Sequence, residues 1–356
     1  MKIAYLLSHD ITKNDGVTKK ILGQTDEWII QGYAVEIYCF VPKQGKSILE
    51  SARQYEYGGA LNLRFKLQDN LLSDLNNFNP DIVYFRYDTW YRTLAYILNK
   101  YKVVTELNTY DLGEFWLLFK KQKSLKSFFR YLAYKLLRAQ VLSKVSGIVS
   151  VTKEIAEHSS NKKFNKPTIF IPNGIDLEKY RTIKDIHNSS ERIQLFFIGT
   201  PNQPWHGVDI IERIAKKLPQ YDFHIVGIEG ENTNNLFWHG YLQKEEYLEV
   251  LKKCHICIGS LALYRNKMSE ACPLKVREYL AYGYPIIIGY KDTAFLDKKL
   301  PGWVIQIDSS IELYIKAINA FIEKNKYEIV TFDQIESYVS SKNLEKNRLL
   351  FFTKVL

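Results

Sequence analysis

Two glutamates, Glu270 and Glu278, bracket the stretch EACPLKVRE (270–278), with Pro273 and Lys275 between them. Carboxylates this near in sequence can work as an acid/base pair across one bond, or hold two parts of one ligand. Pro273 favours the second. Proline suits the first turn of a helix and drives the preceding residue out of helical geometry. A helix therefore starts near Pro273 and runs through LKVREYLAY, with Gly283 fitting its C-terminal cap and Pro285 blocking continuation. Glu270 falls in the loop before it and Glu278 in its second turn. Glycosidase pairs sit roughly 5 to 9.5 Å apart. The helical rise of about 1.5 Å per residue, plus the loop, spreads these two further. Between them is a helix start whose Leu274, Lys275 and Val276 N–H groups can meet an anion, with the Lys275 charge added. The pattern fits one extended ligand. Glu270 meets one polar end, a phosphate sits against Pro273, Leu274 and Lys275, and ribose hydroxyls meet Glu278.

A second anion cradle is IGTPNQPWHG (198–207). Gly199 ends a strand there and Gly207 opens a helix, so backbone N–H groups can approach a phosphate. It is neither a Walker loop nor G-x-G-x-x-G. Near the N-terminus, NDGVTKK (14–20) places Gly16 before a helix, with Lys19 and Lys20 on its first turn. Cysteine does not point to metal. Cys254 and Cys257 form a single C-x-x-C without a second pair, and Cys39 and Cys272 stand apart.

The elements that must carry these loops alternate along the chain. Apolar runs at 2–8, 35–41, 81–87, 103–108 and 147–152 read as strands buried on both faces, as in helix-covered parallel sheets. A second series follows at 193–199, 223–227, 255–260, 285–290 and 303–307. With 356 residues, two domains are expected. The fold class is α/β, with two Rossmann-like parallel-sheet domains. They span 1–170 and 171–335, and a helix at 336–356 packs back toward the first. No apolar run reaches the roughly 20 residues of a membrane span, and MKIAYLLSHD reads as a first strand rather than a leader. A cytoplasmic location is expected.

The net charge of +10 fits nucleic acid, an anionic membrane face or a phosphorylated substrate. No zinc finger, RNP-type motif or basic repeat is present, which argues against nucleic acid. The segment KKQKSLKSFFRYLAYKLLR (120–138) spaces Leu125, Phe128, Phe129, Leu132 and Leu136 as one helical stripe among seven basic residues. Either it packs on the first sheet, or it rests peripherally on an anionic membrane surface.

Taken together, these residues resemble the retaining glycosyltransferases of family 4, which have the GT-B fold. E270-ACPLKVR-E278 looks like that family's E-x7-E motif, and EYLAYGYPIII (278–288) like its continuation. IPNGID (171–176) is similar to the entry to the second domain, and DGV (15–17) to the glycine loop after the first strand. The resemblance implies two domains facing a central cleft, with a UDP-, GDP- or ADP-linked sugar on the second and a glycan or lipid-linked acceptor on the first. It implies transfer with retention, without metal or cofactor, in bacterial polysaccharide synthesis. Glu270 would contact the donor sugar and Glu278 the ribose. On the acceptor side stand Gly16, Val17, Lys19 and Glu106, the last either touching acceptor or donor or serving a buried structural role. Three positions depart from the family pattern: Thr200 and His206 where it has cations, and Asn108 where it has a histidine. Arg265, Lys267 or Lys275 would then supply the positive charge facing the diphosphate. Two alternatives stay open: a sugar-nucleotide epimerase, and a non-catalytic GT-B partner of a glycosyltransferase.

Overall fold

The computed structural model describes residues 1–12, 15–45, 52–59, 61–185, 191–296, 298–308 and 310–356. The chain divides into two compact units: Met1–Pro172 with Ser341–Leu356, and Asn173–Ser340.

Among its described residues the first unit holds seven strands: β1 (Lys2–Leu7), β2 (Ala34–Val41), β3 (Ala52–Glu56), β4 (Ile82–Arg86), β5 (Val103–Leu107), β6 (Gly147–Ser150) and β7 (Thr168–Phe170). They form one sheet, ordered β3-β2-β1-β4-β5-β6-β7, with every pairing parallel. Ile3 to Leu7 are all buried, because both faces of β1 are apolar and covered. The core joins Ile3, Tyr5 and Leu7 to Trp28, Tyr84 and Phe352, the last from the terminal helix Ser341–Val355. Trp28 meets Tyr84 and Phe352 edge-on, with ring centres 5.5 and 5.6 Å apart.

In the second unit the strands are β8 (Gln194–Ile198), β9 (Asp222–Val226), β10 (Leu236–Trp238), β11 (Ile256–Ile258), β12 (Glu270–Ala271), β13 (Ile286–Ile288), β14 (Lys291–Asp292) and β15 (Val304–Gln306). Six form a parallel sheet, ordered β10-β9-β8-β11-β13-β15, while β12 and β14 pair separately. Its core packs Leu195, Phe197, Ile225 and Ile258 against Ile211 and Ile214 of the helix Val208–Lys217. In such sheets a ligand sits beyond the carboxyl ends of the strands where their order reverses. That point lies between β1 and β4 in the first unit, and between β8 and β11 in the second.

The basic segment is not one helix. Asp111–Gln122 ends at Lys123, whose φ of 47° is left-handed, and Leu125–Lys144 begins afresh under a Ser124 cap. The Ser124 hydroxyl accepts from the Ser127 N–H at 3.2 Å. The side chain of Lys121 lies outside the described residues.

Candidate active site

Pro273 is the N-cap of the helix Leu274–Ala281, in extended geometry. Glu270 precedes it in β12, whose register partner is Lys291. Of the three N–H groups expected free at the helix start, that of Val276 is not: it donates to the Pro273 carbonyl at 3.2 Å. Leu274 and Lys275 are left to face a ligand. One turn apart, Lys275 and Tyr279 grip the end of β8. Lys275 Nζ donates to the Ile198 carbonyl at 2.9 Å, and the Ile198 N–H donates to Tyr279 Oη at 3.0 Å. This grip sets the helix against the Gly199 loop, so the two anion cradles read from the sequence become neighbours. Lys275 Nζ also lies 4.1 Å from the centre of the Phe197 ring. Burial lowers the Lys275 pKa to about 7, so the amine is poised to take up a proton when an anion arrives.

The loop from Gly199 to His206 is tightly built. A Cβ on Gly199 would lie 2.6 Å from His206 Nδ1, and one on Gly207, at φ +70°, would lie 3.0 Å from the Ala262 nitrogen. Burial, and then the Lys275 charge, push the His206 pKa down to about 3. The ring is therefore neutral at pH 7 and supplies no positive charge at that position. Thr200 is exposed on the loop. Arg265 places two guanidinium nitrogens on the Asp209 carboxylate at 2.8 and 2.7 Å, and one on the Pro204 carbonyl at 2.9 Å. It braces the loop to the next helix. Lys267 is exposed, closing the turn Leu263–Asn266 with a φ of 55°.

Several residues that hold this site gave no sequence signal. Tyr180 Oη donates to Glu278 Oε1 at 3.0 Å, across 98 positions of chain. Arg277, fully buried, donates to both Asp292 oxygens at 3.0 and 2.5 Å, to the Asn173 carbonyl at 3.0 Å and to Cys272 Sγ at 2.8 Å. Asn173 Nδ2 in turn donates to the Cys272 carbonyl at 2.5 Å. The loop between Glu270 and the helix is thus pinned from within the unit. All four cysteines are buried and free.

In the first unit, Gly16 is the first residue of the helix Gly16–Ile30, with Val17 and Lys19 half-buried on its first turn. Asn14 lies outside the described residues. Asp15 caps the helix, accepting from the Thr18 N–H at 2.9 Å, and His9 Nε2 lies 3.2 Å from the same oxygen. Burial raises the Asp15 pKa, but the bonds from His9 and Thr18 outweigh it and lower it to about 2. Glu106 does not face an acceptor, which corrects its assignment. Its side chain has no exposed surface. Lys20 Nζ and Arg348 reach Oε1 at 3.0 and 3.2 Å, and Arg86 and Asn108 reach Oε2 at 3.1 and 3.0 Å. Burial raises the Glu106 pKa, yet Lys20, Arg348 and Arg86 hold it well below the usual carboxylate range. Asn108 belongs to the same network, taking a bond from Lys20 at 2.8 Å.

Two parallel sheets, each reversing order at its first strand, give the chain the GT-B glycosyltransferase fold. The same fold occurs in sucrose-phosphate synthase from Thermosynechococcus elongatus (12% identity, covering 100% of this chain and 99% of that one, TM-score 0.69). It occurs in the lipopolysaccharide outer core galactosyltransferase WaaB (13%, 100% and 100%, TM-score 0.68). It also occurs in an alpha-glucosyltransferase solved with UDP and a 13-mer DNA (16%, 99% and 99%, TM-score 0.67). Residues 15–179 match the model of Glycosyltransferase Family 4. The family resemblance read from the sequence thus meets a family-model match over residues 15–179 and the GT-B fold of these glycosyltransferases. No curated protein matches it.

Proposed function

We propose that the chain is a retaining glycosyltransferase. It moves a sugar from a nucleotide-diphosphate sugar to a glycan or lipid-linked acceptor in bacterial surface-polysaccharide synthesis. The observation that carries this reading is the Glu270–Glu278 stretch, folded so that a helix start and Lys275 lie between the two carboxylates and against the Gly199 loop. Glu270 contacts the donor sugar. Leu274, Lys275, Gly199 and Thr200 hold the diphosphate. Glu278, oriented by Tyr180, accepts from the ribose hydroxyls. UDP is the nucleotide favoured, since structures of the same fold contain UDP or UDP-glucose. The first unit, through Gly16, Val17, Lys19 and Asn108, receives the acceptor.

A departing diphosphate gains charge, and donors already in place stabilise it most. With His206 neutral and Arg265 committed to Asp209, Lys275 carries most of that task. The reaction needs no metal or cofactor, and the enzyme works at the cytoplasmic face of the membrane. The same shortage of cations favours one second reading, a non-catalytic partner that binds nucleotide without turnover. Incubation with UDP-sugars and candidate acceptors in EDTA, with products identified by mass spectrometry and anomeric NMR, tests the proposal. Transfer with retained configuration is expected. An inverted product contradicts retention, and bound UDP with neither transfer nor hydrolysis of any donor supports the partner reading.

A further inference from the structure

The helix Leu125–Lys144 has two apolar faces. One, with Tyr134, Val141 and Leu142, is buried in the first unit. The opposite face carries the stripe seen in the sequence and is open: Leu125 is 79% exposed, Phe129 63%, Leu136 60%, and Phe128 and Leu132 39% each. Positions 125, 128, 129, 132 and 136 fall within one side of a helical projection. Of the two sequence readings, packing of this stripe on the sheet is therefore corrected. The preceding helix, Asp111–Gln122, continues the surface. Phe119 meets Phe128 at 5.5 Å between ring centres, and Trp116 meets Tyr131 at 5.3 Å.

Positive charge flanks this surface. Lys120, Lys123, Lys126, Arg130 and Lys135 are exposed, and the chain has no acidic residue from 115 to 153. Arg138, counted with them from the sequence, is buried instead, with Nε on Asp111 at 2.5 Å. No helix among the described residues is long and apolar enough to cross a membrane. An apolar stripe with aromatic rings and a basic border, on a helix anchored by its other face, has the chemistry of a surface that lies in an interface rather than through it.

We infer that this helical hairpin, Asp111–Lys144, docks the chain onto an anionic lipid surface. Leu125, Phe129 and Leu136 enter the headgroup boundary, and Lys123, Lys126, Arg130 and Lys135 meet lipid phosphates. Charge complementarity selects this occupant. A second copy of the chain would bring like charge against like, and nucleic acid would leave the open apolar stripe in water. The inference rests on the exposed stripe and its basic border and is independent of any reading of sugar transfer.

Flotation of the full chain, without nucleotide, with neutral phosphatidylcholine vesicles and with vesicles holding about a third phosphatidylglycerol tests it. Binding to the anionic vesicles only is expected, weakening as salt rises. Lys126→Gln and Arg130→Gln should each weaken partitioning about fivefold. Leu125→Ser with Phe129→Ser should weaken it at least tenfold. Because these side chains are exposed, circular dichroism and melting temperature should stay unchanged. Equal binding to neutral and anionic vesicles, no binding, or unaffected binding by the variants would overturn the inference. So would a dimer that the Leu125→Ser, Phe129→Ser variant converts to monomer, or preferential binding to a duplex oligonucleotide.

Discussion

Lys275 offers the sharpest handle on how the donor is held. In the free protein its amine is held near pKa 7 by burial, against an ordinary 10.5. A diphosphate beside the helix start favours the charged form, so binding completes the protonation. UDP-glucose is the suitable probe, because its esterified diphosphate does not titrate near neutrality. Its affinity should follow the charged fraction of Lys275, which is about three quarters at pH 6.5 and about 3% at pH 8.5. Kd should therefore rise by about 25-fold between these two values. His206 adds nothing to the slope, since it is already neutral there. Calorimetry at several pH values, in two buffers of different ionisation enthalpy, would read both affinity and proton uptake, which should approach one proton near pH 8. Lys275→Met should bind weakly and with a flat profile. A flat profile in the wild type, or the same slope in Lys275→Met, would refute the assignment. Linkage gives a further sign. Between about pH 7 and 10.5 the unfolded chain holds this proton and the folded chain does not. Stability should therefore rise with pH across that window, and Lys275→Met should lose that rise.

Glu106→Gln leaves Lys20, Arg86 and Arg348 short of one buried anion, and should cost about 3–5 kcal/mol of unfolding free energy in urea titrations. The folded Glu106 pKa is depressed from 4.5, so its contribution is full above about pH 4.5 and is lost as pH falls through the folded value. The variant should therefore be less sensitive to acid, and a cost below about 1 kcal/mol would contradict the network's importance. Arg265→Gln should change UDP affinity by less than about threefold, since its charge is spent on Asp209. A loss of tenfold or more would restore Arg265 as a phosphate contact.

The two β/α arrays and the helix behind Pro273 were legible because central parallel strands are apolar on both faces and proline marks a helix start. Of the strands in the two large sheets, three escaped this reading, β3, β7 and β10, and each lies at a sheet edge. An edge strand needs only a partial apolar face: in ARQYE of β3 only Ala52 and Tyr55 are buried. The side chains that complete the site were invisible for another reason. Tyr180 reaches Glu278, and Asn173 reaches Cys272, across 98 and 99 positions. Spacing along the chain carries no such information. Glu106 stayed open in the sequence because an acid at the end of a strand looks the same whether it meets a sugar or two arginines and a lysine. Arg138 misled, since a basic residue within a basic run reads as surface until Asp111 is found beside it.

The Glu278 carboxylate is where the proposed donor site can be tested most directly. In Glu278→Gln the amide oxygen can still accept from Tyr180, so the local structure should survive while the charged acceptor for the ribose is lost. Calorimetric titration with UDP should show tight binding to the wild type and binding about 10- to 100-fold weaker to the variant. Equal UDP affinity in the two proteins, or no binding of UDP, GDP or ADP to the wild type, would contradict a nucleotide-sugar site built on this helix.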